Sequence, residues 1–63
     1  MTTETFYDSE GVPFVLVDSD RSRKVFRMEG SKRIPIEAKY GAEIVLNSDI
    51  ISRERALELA GKD

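Results

Sequence analysis

Residues 12–18, VPFVLVD, constrain the fold more than any other part of this chain. The run is continuously apolar up to its closing aspartate and contains three valines. Its length and β-branching favour a strand buried on both faces over a helix. Pro13 is tolerable near the start of such a strand. Everything else in a chain of 63 residues must be arranged to cover it. So short a chain makes one domain at most and buries only about 60% of its unfolded surface, so stability is marginal.

The following segment, RKVFRME at 23–29, alternates, with Phe26 and Met28 on one side and Val25, Arg27 and Glu29 on the other. That is the pattern of a half-buried strand. Asp18 to Ser22 between the two runs supplies turn chemistry, since short Asp and Ser side chains cap their own backbone. Gly30 marks a second turn, and 33–37 reads as a third strand in which Pro35 demands an edge position or a bulge. Residues 42–47 alternate as Ala42, Ile44 and Leu46 against Glu43 and Asn47, and are taken as a fourth strand. The competing reading of 37–47 is a short helix broken at Gly41. Residues 52–60 form the clearest helix, with Ser52 as N-cap, Glu54 in the first turn, and Gly61 and Lys62 beyond its end. Ala56, Leu57 and Ala60 make its inner stripe, while Leu59 lies off it.

The expected fold is therefore α+β: a small antiparallel sheet of three to four strands (12–18, 23–29, 33–37 and 42–47) with one C-terminal helix (52–60) packed on it. Residues 1–11 read as a weakly ordered acidic arm ahead of a single domain at 12–63, with Phe6 and Tyr7 as its docking residues. The expected core is Phe14, Leu16, Phe26, Met28, Ile34, Ile36, Ile44, Leu46, Leu57 and Ala60.

Composition removes several function classes. The chain has neither cysteine nor histidine, so it offers no disulfide, no thiolate metal site and no histidine base. The six serines that could act as nucleophiles have no histidine to activate them. Its four glycines are isolated and build no phosphate loop. Neither a cofactor nor a metal is expected, and the chain is not expected to be an enzyme. No apolar run approaches the roughly 20 residues that span a bilayer. The N-terminal residues lack a basic and an apolar region of signal-peptide type, which points to a cytoplasmic protein.

DSDRSRKVFRME at 18–29 offers one metal-like coincidence. Asp18, Asp20, Ser22 and Glu29 fall at positions one, three, five and twelve of a calcium-binding EF-hand loop. The glycine required at position six is instead Arg23, four bases lie within the loop, and the flanks read as strands. The stretch is a hairpin corner.

Charge is segregated, although the net value is only −2. Residues 1–20 hold five acids and no base, and residues 21–33 hold six bases and one acid. Two partner surfaces follow. Asp8, Glu10, Asp18 and Asp20 would present an acidic face to a basic protein. Arg21, Arg23, Lys24, Arg27 and Arg33 would track a phosphate backbone. The leading expectation is a protein-binding module, an inhibitor of phage or mobile-element type that covers a host nucleic-acid-handling protein of defence or transcription machinery. A small nucleic-acid-binding regulator is the alternative, and an adaptor subunit a further one. The partner is expected to be a larger protein, and the chain a monomer or weak homodimer.

Overall fold

A computed structural model describes residues 1–61 of the chain; Lys62, expected behind the last helix, lies outside the described residues. The architecture is α+β, a five-stranded antiparallel sheet with two helices. In chain order the elements are β1 (Thr3–Ser9), β2 (Val12–Asp18), β3 (Arg23–Glu29), β4 (Lys32–Ile36), α1 (Ala38–Asn47), β5 (Asp49–Ile51) and α2 (Arg53–Ala60). The sheet order is β4-β3-β2-β1-β5, which puts VPFVLVD at the centre.

Central placement explains the continuous apolar run. Phe14 and Leu16 face one side with Tyr7 and Val25, and half-buried Ile36, Ile44 and Val45 of β4 and α1 pack against them. Val15 faces the other side with Phe6 and Met28, beneath Ala56 and Ala60 of α2. Phe14, Val15 and Leu16 are all buried, as a strand covered on both faces requires. The helices thus lie on opposite faces of the sheet.

Local chemistry sets the hairpins. β1 and β2 join through Glu10 and Gly11, both at positive φ (53° and 86°), the geometry of a two-residue type I′ turn. β3 and β4 join through Gly30 and Ser31, with only Gly30 at positive φ (60°), as a type II′ turn requires. From that turn Gly30 donates its N–H to the Ala60 carbonyl at 2.8 Å, tying the end of α2 to the sheet. Between β2 and β3 the chain closes on itself through Ser19 and Ser22. The Ser22 N–H donates to Ser19 Oγ, and the Ser19 N–H donates to the Ser22 carbonyl at 2.8 Å.

Pro35 sits where the edge tolerates it. The two-residue turn makes Glu29–Lys32, Arg27–Ile34 and Val25–Ile36 the hydrogen-bonded pairs of the β3–β4 ladder. Arg33 and Pro35 therefore turn their backbone outward, and Pro35 has no N–H to offer there. The outer edge of β4 is poor in donors and resists pairing with a further strand.

Two segments differ from the sequence-based expectation. Residues 1–11, expected as a weakly ordered arm, supply β1, paired with β2 along its whole length and with β5 on its other side. Phe6 and Tyr7 are consecutive, so a strand points them to opposite faces, and each anchors one half of the core. Residues 42–47 belong to α1 and not to a fourth strand, which is Lys32–Ile36 followed directly by the helix. The alternation of 42, 44 and 46 is outweighed by a helical stripe, Ala38, Gly41, Ala42 and Val45, at spacings of three, one and three. The core shifts accordingly. Leu46 is 82% exposed and Leu57 47% exposed, whereas Phe6, Tyr7, Val15, Val25 and Ala56 are buried. On α2 the small pair Ala56 and Ala60 faces the sheet, capped as expected by Ser52 Oγ, which accepts from the Arg55 N–H at 3.1 Å.

Gly41 fixes how closely α1 approaches the sheet. A Cβ there would lie 2.9 Å from Val25 Cγ2 and 3.1 Å from Val25 Cβ. Rotating the valine would move the first atom but not the second. Gly41→Ala should therefore destabilise the fold, because overpacking of about 1–3 kcal/mol exceeds a helix-propensity gain of at most about 1 kcal/mol. Urea unfolding checks this: the midpoint should fall in Gly41→Ala, and the Gly41→Ala/Val25→Ala pair should lose less than the sum of the two single changes.

Candidate functional site

The four acids proposed from sequence as one face do not form one. Asp8 pairs across from Pro13 and Asp18 across from Thr3, so they lie at opposite ends of the β1–β2 ribbon. Five residues of strand separate them, roughly 16 Å. They also point to opposite faces, Asp8 with Phe6 and Asp18 with Leu16. Asp18 is engaged by Arg23 Nε at 3.4 Å and Asp20 by the N-terminal ammonium at 3.1 Å. Asp8 instead stands directly opposite Asp49 of β5, next to the turn that carries Glu10. This acidic end was not visible in the sequence, because Asp49 comes from a strand of only three residues. Asp8 Oδ1 accepts the Gly11 N–H at 2.8 Å, which occupies part of that carboxylate.

The basic set is largely matched by carboxylates. Arg23 meets Asp18, Arg27 meets Glu29 at 2.8 Å, and Arg33 meets Glu4 at 2.8 Å. Arg21 and Lys24 have no ion-pair partner among the described residues. The EF-hand coincidence also comes apart. Glu29 lies at the far end of β3 from the Asp18–Ser22 corner, about 20 Å along an extended strand. Among the described residues no group of three or more His, Cys, Asp or Glu side chains is placed to share a metal ion. Nor is any described helix long and apolar enough to cross a membrane.

Arg33 and Glu4 are the longest-range charge pair. β4 and β1 are separated in the sheet by β3 and β2, so this pair bridges the α2 side of the twisted sheet from one strand to another three positions away. Glu4 is lowered below its ordinary value of 4.5, first by the hydrogen bond from Arg33, against a smaller raising effect of burial, with further lowering by the charges of Arg33 and Arg53. Both side chains remain more than a third exposed, so solvent screens the pair and its stabilisation is small.

A concave feature lies on the other face. An open groove of about 920 Å³ runs between α1 and the β3–β4 end of the sheet. Leu16, Val25 and Ile36 form its floor, and Ala42, Val45 and Leu46 of α1 form one wall. α1 meets the sheet through buried Gly41 and half-buried Ile44 and Val45, and the groove lies along the flank that carries Ala38, Ala42 and Leu46. Ala38, Ala42 and Leu46 recur every fourth residue and make an apolar stripe that faces the groove instead of the sheet. Arg23, ion-paired with Asp18, stands at one end, where β3 continues past the last residue of β4; Lys24 borders the same end, but strand alternation turns its side chain to the α2 face with Val17. Sequence reasoning missed the site because it assigned Leu46 to the core. The signal available was the stripe at 38, 42 and 46 beside the inward one at 41 and 45.

No protein-family model matches the sequence, and comparison with curated proteins and with solved structures finds no significant match.

The lowered Glu4 pKa carries a signed consequence. A carboxyl whose folded-state pKa is depressed contributes stability above its unfolded value of about 4.5 and loses it as pH falls through the folded-state value. Arg33→Gln should raise the Glu4 pKa toward 4.5 and flatten the stability–pH curve below that pH. Carbon-detected NMR titration of the Glu4 carboxyl, with urea midpoints from pH 2.5 to 6, reads both effects.

Proposed function

We propose that this chain is a non-catalytic protein-binding module that acts by occupying a surface of a larger protein. The observation that carries the reading is the unpartnered stripe of α1, with Leu46 82% exposed at the lip of an apolar groove. Nine hydrophobic residues are buried among the described residues, while Leu46, the most exposed leucine among them, stands beside the groove. The groove is open and lined mainly by apolar side chains, the form in which an anchor from a partner is received. The chain has no histidine or cysteine, and among the described residues the ionisable ones lining the groove are Arg23 and Lys24.

The narrower version, an inhibitor that shields a basic nucleic-acid-handling protein behind an acidic face, has less behind it. Its four acids lie on two faces and at two ends of the sheet. What still supports it is the acidic end formed by Asp8, Glu10 and Asp49. Direct nucleic-acid binding through the basic hairpin is supported only by Arg21 and Lys24, because Arg23, Arg27 and Arg33 each face a carboxylate.

The groove and the acidic face make opposite demands on one experiment. Tagged chain is used to capture a partner from lysate of the source cell, and the captured protein is then titrated with variants. Leu46→Gln should weaken capture at least tenfold while leaving the unfolding midpoint nearly unchanged, as expected for truncating an exposed anchor. Asp8→Asn/Glu10→Gln/Asp18→Asn/Asp20→Asn should leave capture within about twofold. The reverse outcome would replace the groove by the acidic face.

A further inference from the structure

We propose that the open half of the α2 face is a second binding surface, independent of the groove, and that its ligand is single-stranded nucleic acid. In the free chain the Glu4 carboxylate holds the place of a backbone phosphate among Arg33, Arg53 and Lys24.

α2 covers only part of its face. It runs from Ile51, opposite Phe6, to the Gly30 turn, and packs Ala56 and Ala60 over Phe6, Val15 and Met28. Strand alternation puts Glu4, Val17, Lys24, Phe26, Pro35 and Arg33 on this same face. Val17 and Phe26 are half-buried, and the other four are exposed.

Three cations from three elements meet there around one acid. Glu4, Val17 and Lys24 stand side by side on β1, β2 and β3, so two strand spacings, about 10 Å, separate the backbones of Glu4 and Lys24. Arg33 reaches across from β4 and donates to both Glu4 oxygens, at 2.8 and 3.4 Å. Arg53 opens α2, and its charge adds to the lowering of the Glu4 pKa, which places it near the same carboxylate. Lys24 and Arg53 have no ion-pair partner among the described residues. Three bases against one acid leave the patch positive. Other acids of this side stand clear of it. Asp8 lies four residues further along β1, about 13 Å away, with Asp49 opposite it. Glu54 and Glu58 lie on the outer side of α2, away from Ala56 and Ala60, and Glu58 pairs with Arg55.

Charge and shape select the ligand. A guanidinium that presents two N–H groups to a carboxylate presents them equally well to a phosphate. Both members of the Glu4–Arg33 pair are more than a third exposed, so an incoming phosphate displaces Glu4 at little cost. Phe26 follows Lys24 on the same face of β3 and stands opposite Pro35. The cations therefore flank an aromatic ring, the combination by which single strands are held through backbone and base. A duplex keeps its bases stacked inside and offers Phe26 nothing.

The full chain is titrated into a fluorescein-labelled oligothymidylate of about twelve nucleotides at about 20 mM salt, with anisotropy as the readout. The logarithm of affinity should fall with the logarithm of salt at a slope of about −2, as three cations on a single strand require. Lys24→Glu and Arg53→Glu should each weaken binding at least about fivefold with urea midpoints nearly unchanged. Glu4→Gln should tighten it about threefold or more, because the competing carboxylate is gone, a gain that a merely structural ion pair does not produce. Amide signals of Glu4, Val17, Lys24 and Phe26 should move on titration, and Leu46→Gln should change nothing. No binding at low salt, no tightening in Glu4→Gln, weakening in Leu46→Gln, or signal changes confined to the α1 face would each overturn the proposal. A phosphoserine peptide or a duplex of equal length bound more tightly than the single strand would also overturn it, by making that molecule the occupant. The groove is on the opposite face, so failure here leaves partner capture through Leu46 standing, and loss of that capture leaves this surface standing.

Discussion

β2 has to be dry on both sides, and the rest of the structure follows from that. Its four consecutive buried residues, Pro13, Phe14, Val15 and Leu16, face opposite ways in turn, so one layer of cover is not enough. A chain of 63 residues meets the demand by placing a helix on each face and a strand on each flank. α1 carries the chain across one face from the β4 edge to the β5 edge, and α2 crosses back over the other face, to the β3–β4 turn. Phe6 and Tyr7 show the same logic in miniature, two neighbours sent to two cores.

Cover is unequal on the two faces, and the difference has a chemical cause. α2 presents Ala56 and Ala60, small enough to lie close over Val15 and Met28, and Gly30 pins its end. α1 meets the sheet through Gly41, Ile44 and Val45, while Ala38, Ala42 and Leu46 on its flank line the groove. The groove lies along that flank. Filling it from within would need larger side chains at 38 and 42, and the sequence places alanine at both. At one end β3 outlasts β4, which brings the Arg23–Asp18 pair beside the start of α1.

Much of the sheet was legible from local chemistry. The two-faced run at 12–18, the alternation at 23–29, the glycine turn at 30 and the Ser52 cap each report a constraint that acts within a few residues. β1 was not legible, because its buried residues are adjacent and the rest of the strand is polar, so it shows no alternation. α1 was misread because Ala42, Ile44 and Leu46 satisfy a strand period while 38, 41, 42 and 45 satisfy a helical one, and only the close approach of Gly41 to Val25 decides between them. The site was least legible of all. Its floor, wall and charged end come from β2, β3, β4 and α1, and grouping acids by sequence could not anticipate that Asp8 and Asp18 face away from each other.

The central claim is that the chain meets its partner through the α1 groove. Methyl cross-saturation NMR on the complex addresses it most directly, with this chain methyl-protonated in a deuterated background and the partner irradiated. The methyls of Ile36, Val45 and Leu46 should lose intensity, and those of Val12, beside the acidic β1–β2 turn, should keep it. Loss at Val12 with Leu46 unaffected would contradict the account.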